Sequence, residues 1–498
     1  MTGPRVLRVA LVPLDERPVN TGLVRDVAAI AGCALDLPPA ELLPRYRAAG
    51  DVEGIAAWLR ALSPELDGAV VSIDTLVHGG LIPSRTSTEP ISTVIRRLDV
   101  LREIHEANPR MRIAAVSLVM RASDSYSAVE EPEYWAEVGR EVHALGGAVH
   151  RAWSGADGDA QPAVPGGIRR DYSSRRLRNH LVDLAALDMA WQGVVDPLVI
   201  TADDTAAWSA GSAEQHLIDY WQQLRGEQPV QVYPGADETG AVLVARLLAQ
   251  AAGDAPRVFV VPSEEEGMGR IPSYENVPLR ESLARQLAAV GAVAVADVSE
   301  ADFVLVIHTP DPARADHFGG DPAPDPVAIS HTGAAVRTAI ASGHPVVLAD
   351  LRYGNGGDAH LIDDLAAHGI LAGLDAYAGW NTAGNALGSA LALGVAAVVG
   401  RRSGTLDDGA RIRALKRRLL DDAVYQARVR REVSSELFDD RIEPVDAERV
   451  TRSEAVLTDI LRDRLAGLGL QGSQRIASVT LPWLRSFEID VRFEGETI

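Results

Sequence analysis

Cysteine is almost absent from this chain of 498 residues. Cys33 stands alone, so there is no intrachain disulfide framework, and a single thiol near an apolar helix reads as core. Positive charge is short as well: 48 Lys and Arg face 69 Asp and Glu, a formal net charge of -21. Such a field repels phosphate backbones, so no nucleic acid is expected as a partner, although a small anion could sit in a local basic pocket. No apolar run reaches the length of a membrane span. Leu387 to Val399 comes closest and is too short, so no membrane is expected either. The N-terminal apolar run meets Pro13 and Asp15-Glu16-Arg17 too early for a signal sequence and reads as a buried strand, which makes the expected location cytoplasmic.

Familiar chemical signatures are missing too. There is no Gly-Lys-Ser/Thr phosphate loop, no complete dinucleotide glycine fingerprint and no Gly-x-Ser-x-Gly elbow. Neither His-Glu-x-x-His nor paired-Cys zinc spacing occurs, and His78, His308 and His360 lie far apart. No cofactor is therefore expected.

What is present alternates. Short apolar runs at Leu7–Leu14, Gly68–Ile73, Ile113–Val119, Leu198–Thr201 and Val230–Tyr233 read as strands, as do Val258–Val261, Phe303–Ile307, Val346–Leu348 and Leu371–Leu374. Amphipathic Ala-Leu-rich stretches lie between them, including Val52–Leu62, Thr93–Ala107, Gly240–Ala252, Leu279–Val290 and His360–His368. This rhythm predicts an α/β fold: two Rossmann-like parallel-sheet units with a helical C-terminal extension. The expected boundaries are 1–252 for a five-stranded first domain, 253–404 for a four-stranded second, and 405–498 for the extension. The extension either packs on the α/β body or pairs subunits into a homo-oligomer, and its last stretch, Arg475 to Phe493, alternates like a returning strand. Two loops rich in Gly, Asp and Pro, Trp153 to Gly167 and Pro310 to Pro326, read as surface excursions or lids.

Open parallel sheets bind ligands outside the carboxyl ends of their strands, and here those ends are crowded with polar residues. Asp15 and Arg17 follow the first strand; Asp74 and Arg85 follow the second. Asp203-Asp204 and Asp237-Glu238 follow the fourth and fifth, while Tyr274, Asn276, Asp350, Asn355, Trp380 and Asn381 occupy equivalent places in the second half. At any single position an acid there suits a helix cap. Doubled carboxylates repel, and are kept when they bind a cation, meet Arg, or hold a proton. Asp237, Asp203 and Asp204 are the candidate catalytic set; the remaining residues named in this paragraph are candidate substrate contacts. The stretch Tyr377 to Gly388 predicts a strand, a turn and a helix N-terminus. That terminus reads equally as an anion cradle or as a capped, closely packed core helix.

Taken together, Leu11-Val12-Pro13-Leu14-Asp15-Glu16-Arg17-Pro18-Val19-Asn20-Thr21, Ser72-Ile73-Asp74 with Gly79-Gly80-Leu81 and Ser84-Arg85, Tyr233-Pro234-Gly235-Ala236-Asp237-Glu238, Tyr274-Glu275-Asn276-Val277-Pro278-Leu279, and Tyr377 to Asn385 resemble the bacterial domain-of-unknown-function 4127 family. The resemblance spans nearly the whole chain. It brings no assigned reaction and points, by association, to carbohydrate uptake and sugar metabolism. The function expected is hydrolysis of a small carbohydrate by paired carboxylic acids, a glycosidase whose stereochemistry the sequence leaves open. The alternatives are a metal-dependent hydrolase built on Asp203, Asp204, Asp237 and one histidine, or a non-enzymatic sugar-binding protein.

Overall fold

The computed structural model describes residues 6–496 apart from Asp159, Gln228, Asp254, Gly319, 440–442 and 471–473. Asp159 and Gly319 fall within the two Gly-rich loops, and the outer ends of the expected first and last domains also lie outside the described residues.

Two parallel sheets carry the chain. The first holds β1 (Arg8–Val12), β2 (Ala34–Asp36), β3 (Gly68–Ser72), β4 (Arg112–Val119), β5 (Leu198–Ala202) and β6 (Gln231–Pro234), in the order β2-β1-β3-β4-β5-β6. The second holds β7 (Arg257–Pro262), β8 (Val293–Ala294), β9 (Phe303–His308), β10 (Val346–Asp350) and β11 (Ala376–Ala378), in the order β11-β10-β9-β7-β8. These are the same winding twice. In each sheet the chain goes out to an edge strand, then crosses back past its first strand. The crossing leaves a switch point between β1 and β3 and another between β7 and β9, where loops diverge and a crevice opens.

The strand counts expected were five and four; the structure has six and five. The additional strands β2 and β8 are short, and their side chains are half-buried or exposed, so neither makes an apolar run. Leu371 to Leu374 is not a strand. Its residues form a 3-10 turn, Leu371–Gly373, packed into the core, and the strand follows at Ala376–Ala378.

The helix Ala383–Ser403 lies at the centre. By length and composition it could cross a membrane, with a mean hydropathy of 1.6 over its best window, which corrects the expectation that no segment could. Every residue of that window is buried inside the fold. Its neighbours are the helices Thr239–Ala252, Pro18–Ile30 and Leu279–Val290, and one apolar cluster runs through both halves around it. Small residues make this approach possible. A Cβ on Gly384 would stand 2.3 Å from the Pro234 carbonyl oxygen, and one on Gly388 would stand 2.3 Å from the Glu238 side chain. Gly384→Ala should therefore destabilise the protein by about 1–3 kcal/mol in urea unfolding, because overpacking outweighs the better helix propensity of Ala. Equal or greater stability would show that the helix can move off β6 without cost.

The C-terminal part is helical as expected: Asp408–Arg418, a wide π-helical stretch Leu419–Val429, Arg430–Phe438 and Ala447–Gly467. The tail returns as an antiparallel hairpin of β12 (Ile476–Thr480) and β13 (Asp490–Phe493). It packs back on the body of its own chain: Arg417 donates to Asp26 and to the Val491 carbonyl, and the hairpin loop reaches the strand ends of the first sheet.

Candidate active site

Pro18 begins the first helix, and a residue before proline is held out of helical geometry. Arg17 is accordingly extended, with φ -62° and ψ 153°, and its side chain turns across the strand ends instead of joining the helix. There it forks between two carboxylates. Nη2 donates to Asp15 at 2.7 Å and to Asp237 at 2.5 Å, and Nε donates to Asp15 at 3.0 Å. Asn20, one turn into the helix, donates to the same two acids at 2.9 and 3.1 Å. The β6 loop that carries Asp237 is clamped from the other half: the Asn385 side-chain carbonyl accepts from the Ala236 and Asp237 N–H groups at 3.2 and 3.1 Å.

A second fork lies beside the first. Arg85 donates to Glu130 at 2.9 Å and to Asp203. Arg121, at the end of β4, donates to Glu130 and Glu131 at 2.8 Å each and to Asp204 at 3.1 Å. The tail of the chain joins the two forks. Arg485 pairs with Glu130 and lies 3.6 Å from Glu488, which lies 3.6 Å from Arg17. Trp483 covers the junction, its ring 4.4 Å from the Arg17 guanidinium and 4.6 Å from that of Arg485, and its indole N–H donates to Glu16 at 2.7 Å. Trp483 and Leu484 both hold left-handed backbone, φ 54° and 56°. Such conformations cost about 1 kcal/mol or more each, so surrounding contacts must over-determine them.

Charge in this network does not balance. Among the described residues, Asp15, Asp203, Asp204, Asp237, Glu130, Glu131 and Glu488 pair with Arg17, Arg85, Arg121 and Arg485. Crowding and burial of this kind favour the protonated form of a carboxyl. Burial pushes Glu488 up to about 7 and raises Asp237, with the Arg17 guanidinium opposing both shifts. Asp204 is pushed up to about 6, by desolvation first and then by the neighbouring Asp203 carboxylate. Glu130, held by three guanidinium groups, lies well below the usual range despite its burial.

Asp204 is also where the network opens: 31% of its side chain is exposed, against 7% for Asp237. The facing rim comes from the second half. The Tyr274 carbonyl accepts from the Thr205 N–H at 2.8 Å, its hydroxyl donates to Asp316 at 2.8 Å, and Asn355 donates to the same carboxylate at 2.8 Å. Asn381 accepts the Asn355 N–H at 2.8 Å. Asp204, Tyr274, Asn355 and Asn381 all have positive φ, between 32° and 65°. Backbone strain of this kind gathers at ligand sites.

The expected residues thus divide. Asp15, Arg17, Arg85, Asp203, Asp204 and Asp237 form one network, and Tyr274, Asn355 and Asn381 approach its open edge. Asp74, Glu238, Asn276 and Asp350 turn inward. Asp74 accepts the Leu118 N–H at 3.0 Å, and burial raises it to about 7. Glu238 folds back on the Ala236 N–H at 2.9 Å, and burial raises it to about 8. Asn276 donates to Ser212 at 3.1 Å; Asp350 takes the Asp358 N–H at 2.7 Å and the Tyr377 hydroxyl at 3.0 Å. Trp380 is buried, edge-on to Phe487 with centroids 5.7 Å apart.

The helix N-terminus at Ala383 holds no open anion cradle. Thr382 caps it, and the Glu275 carboxyl fills it, accepting the Gly384 N–H at 2.5 Å. Burial pushes Glu275 up to about 8. The carboxylates Asp203, Asp204 and Asp237 each face a guanidinium. No group of three or more His, Cys, Asp or Glu is arranged to hold a metal ion among the described residues.

Every block that lines this site falls within one family match. Residues 9–492 fit the model described as Protein of unknown function (DUF4127). The chain belongs to that family. No curated protein matches it. The family match thus covers Asp15 through Glu488, including Trp483, Arg485 and Glu488, which sequence reasoning missed. Arg85, Asp203 and Asp204 of the second fork were legible after their strands, whereas its acids Glu130 and Glu131 were signalled only by their doublet after β4.

Proposed function

We propose that this protein is a hydrolase of a small carbohydrate, a glycosidase in which Asp204 is the general acid and Asp203 its carboxylate partner. The observation that carries this reading is the acid excess at the opening. Asp204 holds its proton up to a pH of about 6, well above an ordinary aspartate, while Asp203, the next residue, is paired with Arg85. Glycoside cleavage needs that division of labour. The Asp204 proton passes to the leaving oxygen as its bond to the anomeric carbon breaks; Asp203 either attacks that carbon or takes the proton of an attacking water. Asp237, saturated by Arg17 and Asn20, holds the neighbouring fork in place. A rim that mixes donors and acceptors (Arg121, Tyr274, Asp316 and Asn355) suits a polyhydroxylated substrate.

A panel of chromogenic glycosides, run with and without chelator, tests the proposal. With the active glycoside in hand, kcat/KM should fall as pH rises through about 6, because Asp204 must be protonated to act and its proton is lost there. A flat profile from pH 5 to 8 would remove Asp204 from the acid role, and a chelator-sensitive rate would point to a metal instead.

A further inference from the structure

Beyond Asp204 the chain runs Thr205-Ala206-Ala207-Trp208 into the helix Ala210–Arg225. Four residues span at most about 14 Å, so Trp208 lies within that distance of Asp204 along the chain. It does not stand alone. Trp208, Trp153 at the end of the helix Trp135–Trp153, and His216 in the second turn of the next helix surround His150. Their ring centroids are 4.9, 6.2 and 5.2 Å from the His150 ring. Trp153 is 59% exposed and Trp208 is 37% exposed, which is unusual for the largest apolar side chain. His150 beneath them is 1% exposed, and neither ring nitrogen has a hydrogen-bond partner, only the Ser209 backbone coming near. A buried polar ring without partners calls for an explanation, since such groups cost free energy unless they are satisfied. Burial, then the adjacent His216, lowers its pKa, so the ring is neutral and carries one donor and one acceptor.

We propose that Trp153, Trp208 and His216, with His150 beneath, form a sugar-binding platform that holds the further units of an oligosaccharide whose terminal unit is cleaved at Asp204. This rests on the glycosidase reading and narrows its substrate class from a small glycoside to a chain of several sugars. Flat aromatic faces accept the C–H faces of pyranose rings, and the exposed His216 imidazole supplies a hydroxyl contact, while His150 backs the rings from beneath.

The test uses the whole protein and four probes: maltotetraose, cellotetraose, xylotetraose and chitotetraose, titrated calorimetrically. One should bind, and the double variant Trp153→Ala/Trp208→Ala should bind it at least about tenfold more weakly, a loss of about 1.4 kcal/mol. The Phe substitutions at both positions should restore most of the affinity. Trp221→Ala, an exposed Trp on the same helix without ring contact to His150, should bind as the parent does. Absence of binding by all four probes, or equal binding by the double variant, would overturn the platform. So would a dimer of the parent that the double variant disperses without change in sugar affinity. Platform binding that is lost in the variant, in a protein that cleaves no glycoside, would sink the glycosidase reading and leave the platform standing. Intact turnover of a single-unit chromogenic glycoside with an unaffected tetrasaccharide titration would do the reverse.

Discussion

Asp204→Asn should leave the protein folded and reduce turnover of its glycoside by about a hundredfold or more, the usual scale for a lost acid or base. Asn keeps the shape and can donate a hydrogen bond, but it cannot release a proton to a leaving oxygen. The decline of kcat/KM above pH 6 should vanish with it. Stability should move the other way. The folded Asp204 carboxyl binds its proton more tightly than the unfolded one, since its pKa is raised to about 6. Its ionisation therefore costs stability as pH rises from about 4 through 6, and at pH 8 that cost is complete. The Asn variant does not ionise beside Asp203, so at pH 8 it should be at least as resistant to urea as the parent. Activity lost and stability gained in one substitution is the mark of a strained functional group, not of a structural one. A variant with full activity, or one that unfolds more easily at pH 8 than the parent, would mean that Asp204 serves only as a partner for Arg121.

Much of the fold was legible because strand burial writes apolar runs into the sequence. β1, β3, β4 and β9 lie between helices on both faces, and nearly every residue in them is buried. The edge strands were invisible for the opposite reason: Val293 and Ala294 are exposed, and Ala34 to Asp36 are at most half-buried. Leu371 to Leu374 misled because a buried 3-10 turn and a buried strand share one composition. The central helix carried a further ambiguity. Its apolarity all round reflects neighbours on every side, which pattern alone cannot tell from a membrane span.

At the site, position after a strand was informative and direction was not. Asp15, Asp203 and Asp237 meet guanidinium groups, whereas Asp74, Glu238 and Asp350 close loops by accepting backbone N–H groups. Both fates are open to an acid at a strand end, and only tertiary packing chooses between them. The contribution of the tail was hidden by distance. Trp-Leu-Arg-Ser-Phe-Glu, residues 483–488, alternates like a strand, yet Trp483 and Leu484 take left-handed backbone and the segment leaves the hairpin to cover Arg17. Nothing local in the sequence announces a pairing across 467 residues such as Glu16 with Trp483.

The largest loss of stability should follow from removing Arg17. Its guanidinium is 3% exposed and is shared by Asp15, Asp237 and Glu488, with side-chain exposures of 2%, 7% and 3%. Arg17→Met keeps most of the stem over Trp483 but leaves three buried carboxyls facing each other. Breaking a buried ionic group by deleting one partner costs about 3–5 kcal/mol, because the remaining charges are neither solvated nor compensated. The loss should depend on pH in a definite direction. Without the guanidinium, the carboxyls escape repulsion only by taking up protons, so their folded pKa values rise above the unfolded values near 4. The folded state then binds more protons than the unfolded one, and stability falls as pH rises. Urea unfolding of Arg17→Met should accordingly show a larger deficit against the parent at pH 8 than at pH 5. Adding Asp237→Asn should recover part of it, since the two sites are in contact and their effects do not add. A deficit below about 1 kcal/mol that is equal at both pH values would place the cluster in solvent-like surroundings, where such pairs contribute little, and the proton-holding site inferred from the same network would lose its physical basis.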